Sequence, residues 1–216
     1  MSDTRVAEIP ARVSLTATPV VCEKFCLLTG GGFRIQARLG CSVRELLCGQ
    51  LGVEAEYLDS RIQTIFLNGQ VVDDPAAALV PPGSSIALSA AMPGVAGAML
   101  RKRSRYAPMR SRLTYASPAP APGPEIAGDV VLQFFNLLQR ELGPRFLHGG
   151  ILIPGRALRQ LLARRWDSFR AGIVAAEVSG EPVAPNALLD LDWMNREVLL
   201  TVRASPLDKQ GVSAQR

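Results

Sequence analysis

The sequence predicts an α+β chain of two similar units in tandem, each a mixed sheet with one packed helix. Three observations point there. Short apolar, β-branched runs end at turn residues, as where Ile65-Phe66-Leu67 meets Asn68-Gly69. Each half carries one amphipathic helical pattern, around Leu46-Leu47 and around Leu161-Leu162. The second half also repeats the first: Leu47 matches Leu162, Asn68 matches Ser179, and Pro75 matches Pro185, always in the same order.

In chain order, residues 20–28 are rich in Val and Leu and read as an opening strand. Residues 33–39 alternate Phe, Ile, Ala and Leu with Arg, Gln and Arg, the mark of a strand with one buried face. Gly30-Gly31-Gly32 between them reads as a hairpin turn. Ser42 is a helix cap with Glu45 three residues on. Val43, Leu46, Leu47 and Leu51 form the helix stripe, and Gly52 stops it. Residues 62–67 are the next strand. Asn68-Gly69 closes a tight hairpin, because both residues accept positive φ. A helical turn starts at Pro75, a Pro-Pro-Gly-Ser-Ser corner follows, and 86–90 is the last strand before Pro93-Gly94-Val95-Ala96-Gly97-Ala98.

In the second half, 130–143 fits one amphipathic helix on periodicity alone, while the repeat favours a strand to about 135 and then a helical turn, with 151–154 as the second strand. Residues 156–166 are the helix, Ser179-Gly180 the hairpin, and 197–202 the closing strand. The core of the first unit is expected at Leu46, Leu47, Phe66, Leu67, Leu79, Ile86 and Leu88. That of the second is expected at Leu161, Leu162, Ile173, Leu189, Val198 and Leu200.

The order β-β-α-β-β-turn-β resembles the β-grasp (ubiquitin-like) superfamily. Residues 93–98 resemble the Pro-Pro-Val-Ala-Gly-Gly tail of the small sulfur-carrier subunit of molybdopterin synthase. The start of the second half, apolar strand into Phe-x-x-Leu and then Arg-Glu, resembles the start of that subunit. The resemblance implies two tandem β-grasp domains, at 13–98 and 126–204, with a linker at 99–125 and a tail at 205–216. In that family the terminal glycine carboxylate is adenylated and thiocarboxylated. Here Ala98 occupies the place of the last glycine, the chain runs on, and the second half ends without a diglycine.

The chain of 216 residues has a net charge of +5, 48% hydrophobic residues and 6% aromatic residues. Residues 99–125 hold Arg101, Lys102, Arg103, Arg105, Arg110 and Arg112 against Glu125 alone, so the basic excess is a property of the linker. Clustered Arg beside Tyr106 offers a contact for phosphate backbones. The Pro/Ala-rich stretch after it is a semi-extended spacer. No apolar run reaches membrane length, and the acidic N-terminus lacks a signal-like apolar region, so a cytoplasmic protein is expected.

Cys22, Cys26, Cys41 and Cys48 follow no common zinc spacing and read as reduced structural thiols. No metal or other cofactor is expected. The motifs HExxH, GxSxG and the P-loop are missing. Asp190 and Asp192 read as the solvent side of a strand, and His148 as a loop residue, so no catalytic residue is assigned. The expected function is a non-catalytic protein-interaction module of sulfur-carrier ancestry, linked through the resemblance to molybdopterin or sulfur metabolism. Two alternatives stand beside it: an RNA- or ribosome-associated module using the basic linker, and a precursor cleaved after Gly97.

Overall fold

The structure, a computed structural model, describes residues 9–90, 94–102, 104, 114–115 and 126–206. It is α+β. The elements in order are β1 (Ala11–Ala17), α1 (Pro19–Phe25), a 3-10 stretch (Cys26–Gly31), β2 (Phe33–Leu39), a wide helical turn (Glu45–Gln50), α2 (Ala55–Ser60), β3 (Thr64–Leu67) and β4 (Gln70–Val71). There follow β5 (Ser85–Ser89), α3 (Gly94–Leu100), β6 (Ile126–Phe135), α4 (Leu137–Gly149), β7 (Ile151–Pro154), α5 (Gly155–Phe169), β8 (Ile173–Val178), β9 (Glu181–Val183), a 3-10 turn (Pro185–Leu189) and β10 (Glu197–Ala204).

The chain divides into two compact units. One is contiguous, Gly32–Glu141; the other is split, Met1–Gly31 with Leu142–Arg216. In the contiguous unit the strands lie in the order β4-β3-β5-β6-β2. β6 is central, parallel to β5 and antiparallel to β2, while β3 is antiparallel to both β5 and β4. Val43, Leu46 and Leu47 bury the face of the helical segment, joined in the core by Ile65, Leu67, Ile86, Leu88, Leu132 and Phe134. Phe33 and Phe134 meet edge to face, with centroids 5.2 Å apart.

In the split unit the order is β7-β10-β1-β8-β9. β1 runs parallel to β10 and antiparallel to β8, β7 is antiparallel to β10, and β9 is antiparallel to β8. Val13, Leu15 and Ala17 of β1 are buried, as are Val198, Leu200 and Val202 of β10. Trp193 is buried too, its indole Nε1–H donating to the Leu188 carbonyl at 2.8 Å.

The units therefore do not follow the halves 13–98 and 126–204. The opening strand of each half is built into the sheet of the other: β1 joins β8–β10, and β6 joins β2–β5. The two sheets also differ in order. The incoming strand lies between β2 and β5 in one, but between β10 and β8 in the other. Alternating apolar residues fix which face of a strand is buried, not which strand lies beside it.

Local expectations fared unevenly. Residues 20–28 are helical, not a strand: Pro19 opens the helix, the Thr18 carbonyl accepts from the Val21 and Cys22 amides, and Val21 and Phe25 share its buried face. Gly30 and Gly31 thus end a 3-10 stretch rather than turn a hairpin, and Gly32 leads into β2 at φ +87°. Ser42 caps as expected, its Oγ accepting from the Glu45 amide at 3.1 Å. Asn68-Gly69 (φ 52° and 80°) and Ser179-Gly180 (φ 53° and 92°) make matching hairpin turns.

The strand 130–135 is part of β6, followed by a thirteen-residue helix rather than one turn. Asp190 and Asp192 lie between the Pro185–Leu189 turn and β10, not on a strand; the Asp192 carboxylate accepts from the Met194 amide. Of the expected core residues, Phe66, Leu79, Leu161 and Leu189 are only half-buried.

Candidate functional site

The segment resembling a carrier tail is folded. Gly94 starts α3 at φ +72°, Gly97 is buried in it, and the Gly97 carbonyl accepts from the Arg101 amide. The chain is then pinned: the Lys102 amide donates to the Gln63 carbonyl, and Lys102 Nζ to the Leu58 carbonyl at 2.6 Å. Val95 is exposed on the helix. Pro93, Arg103, Arg105, Arg110 and Arg112 lie outside the described residues, so of the expected basic cluster only Arg101 and Lys102 are placed. Lys102 serves the backbone there.

A hydrogen-bonded trio stands in the contiguous unit. Tyr57 on α2 and Arg61 at its C-cap, one turn further on, both reach Glu141 of α4. The Tyr57 hydroxyl donates to Oε2 at 2.5 Å, Arg61 Nε donates to Oε2 at 2.9 Å, and Arg61 Nη2 donates to Oε1. The paired guanidinium, aided by the phenol, holds the Glu141 carboxyl down at about 2. Burial, with the carboxylate beside it, pushes the Tyr57 phenol upward. General acid–base work wants a pKa near the working pH. This pair is driven the opposite way on both sides, so the trio is a clamp between two helices.

The cysteines are divided between the units. Burial pushes the Cys26 thiol up to about 12, with Cys22 and Glu23 adding to it, and burial raises Cys22 and Cys48 as well. Such thiols are poor nucleophiles. Among the described residues no group of three or more His, Cys, Asp and Glu side chains is placed to hold a metal. His148 is exposed in the last turn of α4.

The most distinctive surface is on the split unit. Lys24 and Phe25 hold α1 against the end of α5: Lys24 Nζ donates to the Ser168 carbonyl at 2.9 Å, and the Phe25 and Phe169 rings lie 4.7 Å apart. The chain then runs along α5 as the 3-10 stretch, with Leu28 and Thr29 buried and Leu27 44% exposed. Between the two lies a groove of about 310 Å³. Leu27, Leu28, Ala157 and Leu161 give it an apolar lining, and Gln160, Arg164 and Arg165 line it as well.

Successive residues of a regular helix point about 100° apart. Ala157, Gln160, Leu161, Arg164 and Arg165 nonetheless line one groove, because positions i, i+3, i+4, i+7 and i+8 share a face of a helix; α5 is kinked at the last of them, Arg165 (φ −132°, ψ 18°). Arg156 and Arg159 are exposed on the same helix, and among the described residues none of these four arginines is paired with an acidic side chain.

Sequence reasoning missed this face because it balanced charge over the whole half. The signal was local: five arginines and one acid, Asp167, in residues 156–170. Comparison with protein-family models, with curated proteins and with solved structures finds no match in any of the three.

Proposed function

We propose that this chain is a non-catalytic protein-interaction module of β-grasp, sulfur-carrier-like descent, whose two units have traded opening strands. The contiguous unit supports the descent. Its order β4-β3-β5-β6-β2, with a parallel central pair, supports a β-grasp reading in which β6 takes the first-strand position. The split unit keeps the same strand directions with its two central strands interchanged.

One observation carries the functional reading: the strand at the centre of the first half's sheet, β6, is encoded after the tail-like segment. A carrier released by cleavage after Gly97 would lose β6 and leave β5 and β2 without their shared neighbour. The burial of Gly97 inside α3 adds to the argument, since a working tail must protrude to enter an activating enzyme. A chain that needs both halves to build either sheet is suited to presenting surfaces, not to releasing a carrier.

The test is to express residues 1–97 alone and offer them, with ATP and a persulfide sulfur donor, to a sulfur-carrier-activating enzyme. The expected result is an unfolded fragment by NMR and no adenylate or thiocarboxylate by mass. A folded fragment thiocarboxylated at Gly97 would establish the precursor reading instead.

A further inference from the structure

We propose that the groove between the Cys26–Gly31 stretch and α5 docks an acidic, leucine-bearing segment of a partner protein. The inference rests on the interaction-module reading and names the chemistry of the partner. Four features converge on it. The lining of Leu27, Leu28, Ala157 and Leu161 accepts aliphatic side chains. The volume, about 310 Å³, is at the low end of ligand-enclosing pockets and suits anchoring residues of a peptide. Arg164 and Arg165 line the groove, and Arg156 and Arg159 extend the positive face along α5.

The fourth feature is the state of those guanidiniums. They carry no intramolecular carboxylate among the described residues, so their charge is available to a partner. Arginine forks favour carboxylates through paired, planar hydrogen bonds. An apolar floor under a cationic rim therefore selects a segment with leucines on one side and glutamates or aspartates flanking them. A nucleic-acid strand is the weaker match. Among the described residues none that lines the groove is aromatic, and strand binding without sequence preference relies on aromatic platforms for base stacking.

The probe is a fluorescein-labelled synthetic peptide of about four helical turns, with Leu at i and i+4 and Glu between them, titrated with the full chain. Saturable binding that weakens as salt rises is expected. Arg159→Glu with Arg164→Glu, and separately Leu27→Asp, should each weaken it by about tenfold or more. Leu27 is exposed enough to tolerate the change, and thermal melts confirm that each variant is folded. Arg12→Glu with Arg203→Glu, exposed charges on β1 and β10, should leave binding unchanged.

Three results overturn the proposal: no saturable binding, undiminished binding of a peptide with Ser in place of Leu, or tighter binding of poly-U RNA that displaces the peptide. If the peptide fails while residues 1–97 still behave as an unfolded, unmodified fragment, the groove falls and the module reading stands.

Discussion

Ile86 and Leu132 stand opposite each other on parallel strands, both fully buried, although one precedes the basic linker and the other follows it. On the other unit, Val13 and Leu200 stand in the same relation. Each sheet therefore binds the two halves of the chain together by backbone hydrogen bonds and a shared core.

Cutting the chain within residues 116–123 should consequently not separate it. After cleavage at an inserted protease site, the two fragments are expected to co-elute on size exclusion and to melt as one species. Each fragment purified in denaturant should regain structure only when mixed with the other. Two independently folded fragments would show that the strand exchange is absent in solution.

Leu47 lies in the middle of the contiguous unit's core with no exposed surface. Leu47→Ala should cost ~2–5 kcal/mol in urea unfolding, the sum of lost burial and a residual cavity. Phe66, half-buried on β3, should lose less when truncated to Leu.

Glu141 predicts a pH dependence. Its folded pKa of about 2 lies below the ordinary 4.5, held there by Arg61 and Tyr57. A depressed carboxyl contributes stability that is fully present above the unfolded pKa and is lost as pH falls through the folded one. The melting temperature of the native protein should thus exceed that of Glu141→Gln near neutrality, and the gap should close between pH 4.5 and about 2. A carboxyl resonance titrating near 4.5 by NMR would show that the clamp is open in solution.

The matching hairpins predict opposite responses at their two turn positions. Gly69 holds φ +80° with open space where a Cβ would stand, so Gly69→Ala should destabilise by about 1 kcal/mol through backbone strain alone. Ser179 holds φ 53°, where Asn is better tolerated than Ser. Ser179→Asn, which installs the residue found at position 68, should raise stability by a few tenths of a kcal/mol to about 1.

Gly155 opens α5 under a tighter constraint. Its amide donates to the Arg196 carbonyl at 2.8 Å, and a Cβ there would press into the Trp193 carbonyl. Gly155→Ala should cost ~1–3 kcal/mol. Gly31→Ala, with nothing near it, should cost far less.

Much of the local structure was legible because it is encoded locally. The Ser42 cap, the two glycine hairpins, β7 and the closing strands all depend on residues within a few positions of one another. Strand partnership does not. Val13, Leu15 and Ala17 announce a buried face, yet nothing in their spacing names β10 and β8 as neighbours. Residues 20–28 misled for a different reason. Val20, Val21, Leu27 and Leu28 favour strands by composition, but Pro19 and the i, i+4 pair Val21 and Phe25 favour a helix, and packing on Phe169 suits the helix. The tail-like motif was legible as a string but its helical conformation was not; helix formation by 94–100 leaves buried the glycine that a carrier would expose.

The position of β6 has a consequence for the birth of the protein. Translation delivers β2, β3, β4 and β5 to the ribosome exit on the order of seconds before β6 can follow them. Throughout that interval β2 and β5 each present an unpaired edge, and β1 waits still longer for β10, the last strand made. The nascent chain thus carries sticky edges that its own later sequence must silence, and it is in this window that holdase chaperones and co-translational aggregation compete for it.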